Sequence, residues 1–402
     1  MTRDVRLLFA ARCGRMAAFG AVSVVLALYL SALGMSTLRI GWLLSLTLAG
    51  DILFTFLITT HADRIGRKRL LTLSALFMIG AGLVFALSSS FWVLLVAAVI
   101  GVISPSGSEI GPFLPMEQAA IAQLVPGRRR TATFAWYNLC GSFATATGAL
   151  LGGWGAQQLI VRTGDALFAY RVLLLSYALV GVALIGVFAL LTAAVEPPVR
   201  SGPAPGRLGL HGARPIVLRL SSLFALDAFG GALVLQSLIA LWLQERFGAN
   251  PATLGVIFFW AGLLAGISAL AAGRMAQRFG LIRTMVYTHI PSNVLLITVP
   301  FMPTLGWAVG VLLLRYSISQ MDVPTRQSYV MAVVAPDERS AAAGVTGIAR
   351  SVGAMPAPGL STLLSGAVGW MGAPFVAAGL LKIVYDLLLY RNFRALPPPE
   401  ER

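Results

Sequence analysis

Cysteine, histidine and lysine are nearly missing from this chain: two, three and two residues among 402. Cys13 and Cys140 stand in no Cys-x-x-Cys spacing, which argues against both a disulfide framework and a thiolate metal site. Cys140 reads instead as a small apolar packing residue. Lys68 and Lys382 follow no Gly-x-x-x-x-Gly, so the chain has no P-loop and is not expected to pump by ATP hydrolysis. His61, His211 and His289 form no His-Glu-x-x-His, and no Gly-x-Ser-x-Gly occurs. No metal, cofactor or enzymatic activity is therefore expected. Charge is scarce too, at 11% of residues against about 25% in a soluble domain.

Apolar residues take its place: they make up 57% of the chain, with a mean hydropathy of +0.83. Runs of about 20 residues, enough for a helix to cross a bilayer, recur along the whole length. Twelve are read, at 16–34, 40–60, 70–88, 91–112, 132–152, 172–194, 218–241, 252–272, 284–301, 306–329, 341–361 and 370–390. Proline and polar residues interrupt the fourth and tenth. The first is followed by too many others to be a cleaved signal peptide. The fold class expected is an all-α integral membrane protein.

A net charge of +15 could suggest nucleic acid, but the distribution of the 30 basic residues points elsewhere. With the N-terminus inside, the alternate connecting segments hold 22 of them, against Arg39, Arg162, Arg171 and Arg246 on the other side. That count places Arg12 and Arg15 in the cytoplasmic segment before the first run. Such a bias sets both termini in the cytoplasm of a cell bounded by a plasma membrane. The basic surplus then reads as topology and contact with anionic lipid, with no nucleic-acid partner.

The chain also repeats itself. TTHADRIGRKR at 59–69 follows the second run, and GRMAQRFGLIR at 273–283 follows the eighth, sharing Ala62, Arg64 and Gly66 with Ala276, Arg278 and Gly280. VPGRRRTA at 125–132 and APDERSAA at 335–342 form a second pair after the fourth and tenth runs. Two pseudo-symmetric six-helix halves follow, 1–195 and 216–402. Between them, 196–215 is rich in Pro, Gly and Arg and has no apolar face, as a cytoplasmic linker would be.

With these motifs the chain resembles the major facilitator superfamily of secondary transporters, whose signature between spans two and three is Gly-x-Leu-Ala-Asp-Arg-x-Gly-Arg-Lys. Ala62, Asp63, Arg64, Gly66, Arg67 and Lys68 match it. Thr59 stands where the family usually has Gly, and His61 where it has Leu. In the second copy Gln277 replaces the acid. The resemblance covers nearly the whole chain and implies twelve spans rocking around a central site. It also implies that Asp63, Arg64, Gly66, Arg67 and Lys68 form a conformational latch, with Asp63 meeting the helix dipole at the start of span eleven near 340–342. A purely topological anchor explains the basic residues equally well.

Ionisable residues within spans are costly in hydrocarbon and mark cavities or partners. Asp51 and Asp227 lie inside apolar runs with no opposite charge nearby in sequence, which makes them proton-coupling candidates by desolvation, together with Glu117 and Asp322. Candidate substrate contacts are Glu109, Arg315, Arg326, Arg350, Tyr137, Asn138, Gln236 and Asn293. Asp322 with Arg326, and Lys382 with Asp386, are four apart and can meet on one helix face. The second pair reads as structural. Glu109 and Glu117 would fall about 12 Å apart on a continuous helix, a geometry its prolines disturb. The arginine that many efflux members carry in span four is absent.

The leading expectation is a monomeric transporter that exports a small organic or amphipathic compound in exchange for protons. Efflux rests on the abundance of exporters in the resembled family. Uptake or exchange of an anionic metabolite, held by Arg315, Arg326 and Arg350, is the alternative, and a non-transporting membrane sensor is a third reading.

Overall fold

The computed structural model describes residues 2–108, 111–196, 213–335 and 338–394, apart from the side chains of 58–64, 127–128, 131 and 340. Sixteen α-helices and no strand occur among them. In chain order they are α1 (Arg3–Ala32), α2 (Thr37–Ile65), α3 (Arg67–Leu87), α4 (Phe91–Ile100), α5 (Phe113–Leu124), α6 (Gly127–Thr163), α7 (Ala166–Ala189) and α8 (Arg214–Ala232). The rest are α9 (Gln236–Phe247), α10 (Pro251–Phe279), α11 (Leu281–Thr298), α12 (Leu305–Ser319), α13 (Asp322–Val333), α14 (Arg339–Ala354), α15 (Ala357–Val368) and α16 (Ala373–Phe393).

Sixteen helices make twelve spans because spans four, seven, ten and eleven are each built from two: α4 with α5, α8 with α9, α12 with α13, and α14 with α15. Among the described residues, seven stretches are long and apolar enough to cross a membrane by length and composition alone. The sequence reading flags interruptions in spans four and ten only; its run 218–241 holds no proline, and it passes over Pro356 and Pro358 in 341–361. The structure corrects both to broken helices.

Non-helical backbone at membrane depth must find its hydrogen bonds within the protein, and side chains supply them. In span four, where Pro105 and Pro112 stop the helix, Asp51 on α2 accepts from Gly111 N at 2.5 Å, and Tyr177 donates to Val102 O. Ser237 Oγ donates to Pro105 O at 2.5 Å. Ser361 Oγ donates to Leu233 O at 2.7 Å in span seven, and Ser268 Oγ accepts from Gln320 N at 3.3 Å in span ten.

The chain divides into two compact units, 1–200 with 235–262, and 201–234 with 263–402. In the first, α1 is buried along most of its length and packs on α6, α7 and α9. Its approach to α6 depends on small residues: a Cβ at Gly148 would run into the Ala17 backbone. In the second, Val217, Leu220, Phe224, Met285, Tyr329, Tyr385 and Leu389 form an apolar core drawn from α8, α11, α13 and α16. Leu53, Phe56, Trp92, Leu151, Trp154 and Leu179 are exposed, as an apolar solvent permits.

The turn between α2 and α3 shows what the signature does locally. Gly66 has φ 95°, a conformation that disfavours any side chain, and opens the N-terminus of α3. The Glu196 carboxylate sits there, accepting from Arg67 N at 2.7 Å and Lys68 N at 3.2 Å, where the helix dipole favours an anion. Lys68 Nζ donates to Ala189 O at 2.8 Å and Leu191 O at 2.9 Å, capping the C-terminus of α7. Arg67 Nη1 donates to Gln123 at 2.9 Å and Val195 O at 3.1 Å. These contacts tie α3, α5 and the end of α7 together within one unit. The side chains of Asp63 and Arg64, and with them the latch contact expected at 340–342, lie outside the described residues. Gly66→Ala should lower thermal stability in detergent by about 1–3 kcal/mol, because the backbone strain adds to a crowded Glu196. An unchanged melting temperature would show that the turn relaxes.

Candidate functional site: two buried charge clusters

No proline interrupts 3–32, so α1 is one helix from Arg3 onward and carries Arg12 and Arg15 into the interior, 6% and 0% exposed. The sequence places both in a connecting segment before the first run; the structure places them on the helix itself. Arg15 meets Glu117 on α5 in a two-pronged contact, Nη1 to Oε1 at 2.8 Å and Nη2 to Oε2 at 2.7 Å. Tyr137 on α6 donates its hydroxyl to Glu117 Oε2. The Arg15 guanidinium lies 4.3 Å from the Phe113 ring, and that of Arg12 lies 4.2 Å from the Tyr137 ring. Arg12 Nη2 donates to Asn138 Oδ1 at 3.4 Å. Planar guanidinium matches carboxylate geometry, and the added tyrosine donor helps to offset the desolvation of both charges.

In the second unit Asp227 on α8 is a hub. Its Oδ1 accepts from Lys382 Nζ on α16 at 2.5 Å. Its Oδ2 accepts from Arg326 Nη1 on α13 at 3.1 Å and Arg350 Nη1 on α14 at 3.2 Å. Arg326 also donates to Asp322 Oδ2 at 3.0 Å, the expected contact one turn apart. The expected Lys382–Asp386 pairing is replaced: Lys382 turns to Asp227, while Asp386 contacts His289 Nδ1 on α11 at 2.9 Å and accepts from Asn293 Nδ2 at 3.1 Å. His289 Nε2 stands 3.9 Å from Asp227 Oδ1. Three carboxylates, two guanidinium groups, one lysine and one imidazole from five helices thus form one cluster. Arg350 is its accessible member, with a side chain 35% exposed; the others are buried.

Asp227 therefore is not the isolated acid its sequence neighbourhood suggests. A carboxylate ringed by three cations is built to hold charge, and moving any partner shifts the others. Of the remaining candidates, Asp51 accepts from Gly111 N and, at 3.4 Å, from Thr55 Oγ1. Gln236 donates to Ser23 Oγ at 2.8 Å. Arg315 on α12 is 9% exposed, lies 5.2 Å from the Tyr316 ring, and its Nε meets no hydrogen-bond partner among the described residues. Glu109 lies outside the described residues, and the continuous helix expected to link it to Glu117 is absent, since α5 begins at Phe113. Sequence reasoning missed Arg15 as a member of the first cluster and Lys382 and Asp386 as members of the second, and read His289 as no more than a polar contact near the acids. One available signal was register.

Arg15 and Asp227 are 212 residues apart, between the offsets of 214 and 210 that relate the repeated motifs. Glu117 and Arg326 are each the fifth residue of a helix, α5 and α13. At matching places, the first repeat pairs a cation on span one with an anion on span four; the second pairs an anion on span seven with a cation on span ten.

Twelve spans, two sequence-related halves and buried charge clusters shared among several helices define a polytopic α-helical solute transporter. The chain belongs to the Major Facilitator Superfamily, whose family model matches residues 8–321 and 220–402. An uncharacterized membrane protein of Saccharomyces cerevisiae is 29% identical over 420 residues, covering 96% of this chain and 93% of its own. The multidrug resistance protein MdtG of Enterobacter lignolyticus is 26% identical over 327 residues, 76% of this chain and 71% of its own. Among solved structures, a bacterial homolog of the human lysosomal transporter Spinster, in an inward-facing and occupied conformation, superposes with a TM-score of 0.77 at 17% identity. It covers 97% of this chain and 96% of that one.

Proposed function

We propose that the protein is a proton-coupled secondary transporter that exports small organic or amphipathic compounds across a plasma membrane, with both termini in the cytoplasm. The observation that carries the coupling is the Asp227 hub, where one carboxylate serves Lys382, Arg326 and Arg350 from three helices. A proton entering such a network changes which contacts are favourable, and coupling needs that link between protonation and helix packing. The likeness to MdtG supports organic efflux. Glu117, held by Arg15 and Tyr137, and Asp322, held by Arg326, are the companion acids, and Asp51 holds the break in span four. The turn at 63–68 remains the proposed latch.

The test is reconstitution in liposomes that enclose a pH-sensitive dye, followed by addition of ethidium, tetraphenylphosphonium, benzoate and a neutral sugar in separate runs. Proton movement evoked by the cations and absent from protein-free vesicles is the expected result. Movement evoked by benzoate alone would transfer the assignment to anion transport, for which Arg315 and Arg350 offer charge. Silence with all four would overturn proton coupling for these classes.

A further inference from the structure

Resting on that coupling, we infer that the proton is seated on His289, between Asp386 and Asp227, and that its arrival releases Arg350 from the hub. The imidazole bridges two carboxylates on different helices. A neutral ring has one N–H, and the 2.9 Å contact of Nδ1 with Asp386 Oδ1 uses it, since a carboxylate only accepts. Asn293 Nδ2 holds the other Asp386 oxygen at 3.1 Å and fixes that carboxylate in place. The bare Nε2 lone pair then faces Asp227 Oδ1 across 3.9 Å, a gap too long for a hydrogen bond and unfavourable between two electron-rich atoms. One proton on Nε2 reverses the sign of that contact, and a shift of about 1 Å makes it a charged hydrogen bond.

The rest of the network then has one cation too many. The charged groups around the ring are Asp227 on α8, Lys382 and Asp386 on α16, Arg326 and Asp322 on α13, and Arg350 on α14. The Tyr385 ring lies edge-on at 6.0 Å. Before protonation three carboxylates stand against three basic side chains, two arginines and one lysine. Lys382 is buried, and Arg326 has Asp322 as a second acid. Arg350 has neither burial nor a second acid among the described residues, so it is the partner the hub gives up. No bond other than N–H forms, and the proton comes from and returns to water.

The scarcity of histidine makes this measurable. With ¹⁵N-histidine label in nanodiscs, only His61, His211 and His289 report, and the signal lost in His289→Asn is assigned by difference. Wild type is expected to show the Nδ1–H tautomer when the ring is neutral and to gain the second N–H, at Nε2, on acidification. Asp386→Asn, whose amide no longer enforces a donor at Nδ1, should lose that tautomer preference. An Nε2–H tautomer in the neutral ring of wild type, or a ring that gains no second N–H on acidification, overturns the seat. In the vesicle assay His289→Gln should abolish gradient-driven flux and spare substrate exchange. Driven flux retained in His289→Gln overturns the inference and leaves coupling intact. Wild type without proton flux overturns coupling instead, while the resonance still judges the ring.

Discussion

Arg15→Met is expected to destabilise the protein by about 3–5 kcal/mol, the cost of leaving a buried carboxylate without its cation. Glu117 is fully buried and bound by the two terminal guanidinium nitrogens of Arg15 and by Tyr137, so water offers it no substitute. The expected readout is a large drop in melting temperature in detergent, with poor accumulation in the membrane. Arg15→Met with Glu117→Gln should recover most of the loss, because the uncompensated charge is gone while a tyrosine acceptor remains. If the double variant melts no higher than the single one, the damage comes from lost packing against Phe113 and not from charge.

Asp227→Asn should have the larger effect on transport. It removes the anion that three cations share, leaving Lys382 without its acceptor and Arg350 without an acid among the described residues. Gradient-driven flux is expected to fall to background, and stability by about 3–5 kcal/mol. Adding Lys382→Met should restore stability without restoring flux. A flux equal to wild type in Asp227→Asn would remove the hub from the transport cycle altogether.

Hydropathy made the twelve spans readable, because each crossing needs a long apolar run whatever its neighbours do. The repeated turn motifs were equally readable, since Gly66 and Gly280 both stand at helix starts with positive φ. Pro105 and Pro112 announced the break in span four. The break in span seven was hidden, for its sequence GGALVL holds no proline, and the Ser361 hydroxyl that satisfies it lies 128 residues away. The clusters failed for the same reason. A spacing of four places Lys382 beside Asp386 on one helix, yet the lysine is drawn to a carboxylate 155 residues earlier. Arg15 looked like a topological residue because nothing in its neighbourhood announces Glu117, 102 residues on. Local rules found Asp322 with Arg326 and could find no more.

The reversed signs of the matching pairs bear on how such a chain assembles. Two halves of related sequence enter the membrane one after the other, and each offers its helices to a partner with repeated motifs like its own. If span one met span ten in place of span four, Arg15 would face Arg326; if span seven met span four, Asp227 would face Glu117. Both mismatches bury like charges, and both correct pairings bury opposite ones. The polarity of each pair therefore acts as a sorting label during biogenesis, keeping a duplicated polypeptide from exchanging helices with its own copy.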